Sequence, residues 1–135
     1  MKLAIREYIK KKWQARWSDP TLANNKKYKS IRNSVKPWPS SFQKDRRSEV
    51  VLSRLRIGHT RLTHQYILEG SGAPVCAHCD ELLSVEHLLV HCSKFNNQRQ
   101  RFNLSGKSLP ELLGDEADID ALFDFLKAIK LFKEI

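Results

Sequence analysis

The feature that most constrains this chain is a group of cysteine and histidine residues between positions 76 and 92. Cys76 and Cys79 form a C-x2-C pair, and His87 and Cys92 extend it to the pattern C-x2-C-x7-H-x4-C. A C-x2-C pair lets two thiolates reach one ion from a single tight turn, and structural zinc sites take four tetrahedral ligands of these types. The spacing therefore predicts one structural Zn²⁺ bound by Cys76, Cys79, His87 and Cys92.

Two other interpretations of this region stay open. His87 and His91 are four residues apart and would share one face of a continuous helix, which gives a Cys2His2 site; a chain without metal is the other possibility. The Cys3His set is favoured because it uses all three cysteines and because thiolates bind zinc more strongly than imidazole in closed sites. His78 lies inside the C-x2-C turn, where its side chain is expected to point outward.

The Cys3His set makes a demand on the backbone between His87 and Cys92. Residues five apart on an ideal α-helix point about 140° away from each other. A helix that begins after Ser84 is therefore expected to end or kink near residues 90–91, so that Cys92 turns back toward the metal. Four protein ligands leave no position open for water, so a structural role is predicted and catalytic zinc is not expected.

The basic charge of the chain is concentrated in its first half. Residues 1–70 carry 17 Lys and Arg against 5 Asp and Glu, a net charge of +12, whereas residues 71–135 carry 7 against 10, a net charge of −3. Such an excess is typical of segments that meet a polyanion, usually nucleic acid, although a solvated basic face is the alternative. The candidate phosphate-binding residues are five arginines: Arg46, Arg47, Arg54, Arg56 and Arg61.

Hydrophobic periodicity predicts a mainly α-helical protein, in which residues 45–135 form a small helical domain organised around the zinc site. Residues 1–17 are predicted to form a basic amphipathic helix, because apolar side chains recur there every four residues. Residues 18–44 contain three of the five prolines and show no periodicity, so they are predicted to form a linker or an irregular wrapping segment, with Trp38 as an anchor to a core.

Within residues 45–135 the same signals predict a series of short helices. One helix should run from Asp45 to a C-cap at Gly58, because glycine accepts the left-handed backbone that ends many helices. The other predicted helices cover residues 62–68, the segment after Ser84, 93–102, a single turn at 109–114 and 118–133. No run of apolar residues is long enough for a membrane span or a secretory signal, so an intracellular protein is expected, in nucleus or cytoplasm.

Two stretches of this sequence resemble the region that follows the ribonuclease H domain in polyproteins of Jockey-type non-LTR retrotransposons. The first is Arg-Leu-Arg-Ile-Gly-His-Thr-Arg-Leu-Thr-His at 54–64, and the second is the C-x2-C pair followed by Ser-Val-Glu-His-Leu-Leu-Val-His-Cys at 84–92. The likeness covers about residues 38–103. Plant LINE-type polymerases carry a similar zinc-binding module with related cysteine and histidine spacing.

The resemblance implies the same four zinc ligands as the spacing does. It also implies that the N-terminal helix, with Trp13 and Trp17, corresponds to the end of a ribonuclease H domain, and that the chain is a terminal fragment of such an element or a short gene derived from one. The acidic residues of a ribonuclease H centre match no position here, so no polymerase or nuclease activity carries over. Where the family often has proline after the last cysteine, this sequence has Ser93.

These observations predict a noncatalytic zinc-binding module that binds nucleic acid, either RNA or DNA. The alternative is a module that docks to other domains of the parent polyprotein. An enzymatic role would depend on His59, His64, Asp45 and Glu49 as acid–base groups. No nucleophile–base pair, paired-carboxylate motif or phosphate loop accompanies them, so no enzymatic activity is predicted.

Overall fold

The predicted mainly helical architecture is confirmed by a computed structural model, which describes residues 2–22 and 26–135. Met1 of the predicted N-terminal helix and residues 23–25 of the predicted linker lie outside the described residues. The α-helices of the described part are α1 (Lys2–Ser18), α2 (Lys26–Ile31), α3 (Arg46–Ile57), α4 (Arg61–Glu69), α5 (Asn96–Arg101), α6 (Leu109–Leu113) and α7 (Ile119–Ala128).

Shorter turns and one bridge connect these helices. Pro39–Ser41 and Ser93–Phe95 form 3₁₀ turns, and His87–His91 forms a π-helical turn. The described residues contain no β-strand, only an isolated antiparallel bridge between Val75 and Leu82. None of the described helices combines the length and the apolar character that crossing a membrane requires.

The core is formed chiefly by α3, α6 and α7. Helix α3 begins where the Asp45 carboxylate accepts a hydrogen bond from the Ser48 backbone N–H (2.9 Å), and it ends at Gly58, whose φ is +80°. The predicted N-terminal and C-terminal ends of this helix are therefore confirmed. The fully buried apolar side chains of the core come from these three helices, from the π-helical turn and from the last residue: Val51, Leu52, Leu55, Leu89, Leu113, Leu122, Phe125, Leu126 and Ile135.

The predicted linker contains structure that its sequence pattern did not indicate. Residues Lys26–Ile31 form α2, which lies against α3 and α6, and Ile31 is buried. Trp38 is also buried, as its predicted anchoring role requires. The Arg56 guanidinium lies 3.5 Å from the centroid of the Trp38 ring, and Tyr28 and Trp38 form a T-shaped ring contact. The prediction of an irregular segment is wrong for α2, because tertiary contacts stabilise a helix too short to show periodicity.

Helix α1 follows the predicted bounds but contributes no buried side chain. It is joined to the rest of the protein near its C-terminal end, where the Gln14 side chain donates to the Asn33 carbonyl (2.9 Å) and accepts from the Val35 N–H (2.9 Å). Trp17 adds an edge-to-face contact with Tyr28. The predicted apolar stripe exists, but most of it faces solvent.

Candidate metal centre

The C-x2-C pair lies on a tight loop that is held by its own backbone. The Cys76 N–H donates to the Glu81 carbonyl (2.8 Å), and the Asp80 N–H donates to the Cys76 carbonyl (2.9 Å). Asp80 adopts a positive φ of 55°, a conformation that aspartate tolerates better than most residues. The loop therefore presents Cys76 and Cys79 on one side.

The other two residues of the cluster are brought together by the π-helical turn. The Ser84 hydroxyl accepts from the His87 N–H (3.0 Å) and starts the helix, as predicted. The Cys92 N–H then donates to the His87 carbonyl (2.7 Å), five residues back, so the final turn is wider than an α-helical one. This is the backbone break that the Cys3His set required, and the helix ends at His91.

The four predicted ligands lie close together. One ligand atom from each of Cys76, Cys79, His87 and Cys92 lies within 4.8 Å of all the others. The Cys92 sulfur is 3.9 Å from each of the other two sulfurs, far longer than the ~2.05 Å of a disulfide, so the three cysteines are free thiols. This arrangement is compatible with one metal ion.

The two ring nitrogens of His87 have different surroundings. Nδ1 lies 2.9 Å from a carboxylate oxygen of Glu81, whereas Nε2 is buried and has no hydrogen-bond partner among the described residues. A carboxylate that accepts from one nitrogen of a metal-binding histidine fixes the tautomer and orients the other nitrogen toward the metal. The buried Nε2 is therefore the atom that fits a metal, and Glu81 is a residue of the candidate site that sequence analysis missed.

The 3₁₀ turn after Cys92 also contacts the sulfurs. The Ser93 hydroxyl lies 3.4 Å from the Cys79 sulfur, and its hydrogen bonds lower the pKa of that thiol. Burial raises the pKa of the Cys92 thiol to about 11. A backbone hydrogen bond from Lys94 lowers this pKa, but its effect is smaller than that of burial. A metal ion that binds here must displace a proton from Cys92, so its affinity falls with acidification.

The remaining histidines lie outside the cluster. His91 is exposed, and its Nε2 lies 3.8 Å from Glu86, so the Cys2His2 alternative is not the arrangement found. His78 is exposed, as predicted. His59 and His64 stack face to face with ring centroids 3.8 Å apart, beside a surface cavity of about 380 Å³ that Arg54 and Arg61 also line.

One of the predicted phosphate-binding arginines is a core residue. Arg56 is only 3% exposed; it donates to the Leu113 carbonyl (3.0 Å) and to the hydroxyls of Ser40 and Ser41, and it stacks on Trp38. Burial lowers its pKa to about 10. The prediction that Arg56 contacts phosphate is therefore withdrawn, because its charged group does not reach the surface.

The other four arginines differ in how they are held. Arg47 donates to the carbonyls of Phe132 and Lys133 (3.1 and 2.7 Å), and Arg54 donates to the backbone oxygen of Ile135 (2.6 Å). Arg46 forms an exposed ion pair with Glu49 (3.3 Å), and Arg61 is exposed at the start of α4. For these four residues phosphate contact stays a prediction.

The fold and the cluster together define a small helical protein with a closed Cys3His set able to hold one metal ion. Comparisons with protein-family models, with curated proteins and with solved structures found no match. Any function assigned to the chain therefore depends on its residues and their arrangement.

Proposed function

We propose that this chain is a noncatalytic zinc-binding module that binds nucleic acid through its basic first half. In this proposal it is the counterpart of the region that follows ribonuclease H in Jockey-type retrotransposon polyproteins, and its zinc ion stabilises the fold. The observation that carries the nucleic-acid role is the exposed, strongly basic helix α1.

Zinc is the metal that suits this ligand set best. With Zn–S bonds of ~2.3 Å, two thiolates on a tetrahedral ion lie ~3.8 Å apart, close to the 3.9 Å between the Cys92 sulfur and its two neighbours. Three thiolates and one imidazole favour zinc over hard cations such as Mg²⁺ and Ca²⁺. These four protein ligands fill a tetrahedral shell, which supports a structural role.

The surface of α1 suits a polyanion. Between Lys2 and Ser18 the helix carries six basic side chains and one acidic one, a net charge of +5, and all six are exposed: Lys2, Arg6, Lys10, Lys11, Lys12 and Arg16. Glu7 pairs with Lys10 only at the exposed surface (3.0 Å), a contact of little energetic weight. Of the arginines predicted from sequence, Arg46 and Arg61 are the exposed ones that can add to this surface.

The salt dependence of binding to labelled oligonucleotides tests this role. We expect the affinity to fall steeply with salt, and the triple variant Lys10→Gln/Lys11→Gln/Lys12→Gln to reduce the slope of log K against log[salt] by about 2 to 3, since each lost phosphate contact removes ~0.7 to 0.9. The matched control is Lys127→Gln/Lys130→Gln/Lys133→Gln, which removes the same charge from the acidic half. Binding insensitive to salt, or equal slopes for the two variants, would contradict the proposal.

A second candidate function is docking to another domain of a parent polyprotein. It is favoured by the exposed apolar side chains of α1, namely Leu3, Ile5, Tyr8, Ile9 and Trp13, the last of which is 65% exposed. A helix at the end of a ribonuclease H domain would bury such a stripe against that domain. If Ile9→Ser/Trp13→Ser abolishes association with the ribonuclease H domain and leaves oligonucleotide affinity unchanged, docking is the function of this stripe.

A further inference from the structure

Arg99 is a buried cation next to the metal cluster. It lies on α5 and is 3% exposed. Its guanidinium donates to the Leu88 carbonyl (3.4 Å), to the Cys92 carbonyl and to the side-chain oxygen of Asn96. All three acceptors are neutral, and two of them belong to the turn that carries His87 and Cys92.

Among the described residues, no Asp or Glu lies within ion-pair distance of Arg99. Removing a charged group from water without an opposite charge is unfavourable by several kcal/mol. The other two buried arginines are compensated, since Arg32 pairs with Asp115 at 2.8 Å and Arg56 stacks on Trp38, 3.5 Å from its ring centroid. Among the described residues, the Arg99 guanidinium has no carboxylate partner and lies over no aromatic ring. The burial of Arg99 therefore calls for a source of negative charge that is not a carboxylate.

A metal ion bound by the four clustered side chains would leave that charge on the cluster. Three thiolates, a neutral histidine and a divalent ion together carry a net charge of −1, because the charge of +2 on the ion offsets only two of the three thiolate charges. The guanidinium is joined to the cluster through the hydrogen bond that it donates to the Cys92 carbonyl. Without metal and with protonated thiols, this compensation is absent.

We propose that Arg99 is the counter-charge of the metal–thiolate cluster, a positioning residue through which metal binding and the packing of α5 stabilise each other. The inference rests on the proposed zinc site. Arg99 binds no metal itself. It acts by balancing the cluster's charge, and its hydrogen bonds to the carbonyls of Leu88 and Cys92 place the guanidinium beside the turn that carries the ligands.

Cobalt titration of the full chain tests this role, since Co²⁺ in a thiolate-rich tetrahedral site gives visible and near-ultraviolet absorption bands. The variants are Arg99→Gln, which removes the charge, and Arg99→Lys, which keeps it. The matched control is Lys94→Gln, which removes an exposed cation close to the same cluster. Circular dichroism of the cobalt-saturated proteins reports whether each variant is folded.

We expect Arg99→Gln to weaken Co²⁺ binding by about 10- to 100-fold, and both Arg99→Lys and Lys94→Gln to change it by less than about 10-fold. Unchanged affinity in Arg99→Gln, or an equal loss in Arg99→Lys, would overturn the proposal, the latter because hydrogen-bond geometry rather than charge would then be the cause. If Arg99→Gln does not fold in excess Co²⁺, Arg99→Lys decides: a folded, cobalt-binding protein supports the proposal and an unfolded one overturns it.

The wild-type titration separates this inference from the proposed function. A wild-type chain that binds no Co²⁺ contradicts the zinc site and the role of Arg99 together. A wild-type chain that binds one Co²⁺ while Arg99→Gln binds it equally well leaves the zinc site standing and removes only the role of Arg99.

Discussion

At the scale of single residues, the candidate metal centre depends on the different contacts of the two ring nitrogens of His87. Nδ1 is 2.9 Å from the Glu81 carboxylate, which accepts a hydrogen bond in the tautomer that leaves the buried Nε2 available to a metal. The Glu81 backbone carbonyl also accepts from the Cys76 N–H. Glu81 therefore links the cysteine loop to the histidine through both its main chain and its side chain.

Replacing Glu81 with Gln tests this contact. We expect Glu81→Gln to weaken zinc binding by about 10- to 100-fold, because the amide accepts the Nδ1–H less strongly and orients the ring less well. The Glu81 side chain is 67% exposed, so the fold should survive the change. Competition with a chromophoric chelator measures the affinity.

The matched control is Glu86→Gln, which alters another exposed carboxylate near a histidine, here His91 at 3.8 Å. Its zinc affinity should equal that of the wild type. A loss of the same size in both variants would mean that net charge, rather than the contact with His87, sets the affinity.

Sequence spacing was sufficient to predict that Cys76, Cys79, His87 and Cys92 lie together, but not which residues surround them. Cysteine and histidine at these intervals have few other uses, whereas the role of Glu81 depends on a loop with Asp80 at positive φ. Charge alone likewise could not separate Arg56, which is buried against Trp38, from the exposed Arg61. Burial is decided by tertiary packing, which a list of charges does not contain.

At the scale of elements, the π-helical turn lets His87 and Cys92 lie in one cluster, which a regular α-helix would prevent. An α-helix through residues 85–92 would direct His87 and Cys92 apart, and the hydrogen bond from the Cys92 N–H to the His87 carbonyl widens the turn instead. The sequence predicted a break at this position because the ligand set required it. The structure shows that this break is a π-helical turn.

The end of α6 provides a test of element packing. Gly114 follows this helix, and a Cβ atom there would lie 2.4 Å from the Pro110 backbone carbonyl oxygen. We expect Gly114→Ala to destabilise the protein by about 1–3 kcal/mol, since backbone must move to relieve the overlap. Urea denaturation of the zinc-loaded protein measures the change.

Gly72→Ala is the control for this test. No atom lies within 4 Å of a Cβ built at Gly72, so its free energy of unfolding should stay within about 0.5 kcal/mol of the wild type. Equal stability of Gly114→Ala and Gly72→Ala would show that the end of α6 is not packed as described.

Helix ends were predicted accurately where a capping residue marks them. Helix α3 has both predicted ends, but α7 ends at Ala128 rather than near residue 133, because Lys130 adopts a φ of +62° and the Leu131 N–H returns to the Leu126 carbonyl. The apolar spacing continues through this reversal and so gives no sign of it. Helix α2 was missed because six residues are too few to establish a period.

At the scale of the whole molecule, the Cys3His cluster brings together a loop outside the helical core and a turn that packs into that core. The loop at 74–83 contains no helix, and its regular structure is limited to the isolated bridge between Val75 and Leu82. The turn at 87–91, in contrast, packs into the core through Leu89. Zinc that binds both segments therefore adds its binding free energy to the stability of the fold.

Metal removal should accordingly lower the melting temperature. At free zinc about 100 times above the dissociation constant, the stabilisation is ~2.7 kcal/mol, which for a chain of this size corresponds to a shift of about 10 °C. Differential scanning calorimetry with zinc and with excess chelator measures it. Cys79→Ala should melt at the same temperature in both conditions, and a wild-type protein indifferent to chelator would contradict a structural role for the metal.

The central claim, that Cys76, Cys79, His87 and Cys92 bind one zinc ion, is tested most directly by zinc stoichiometry on purified wild-type, His91→Ala and Cys92→Ala proteins. We predict one zinc per chain in the wild type and in His91→Ala, and loss of zinc in Cys92→Ala. Loss of zinc in His91→Ala with retention in Cys92→Ala would contradict the assignment.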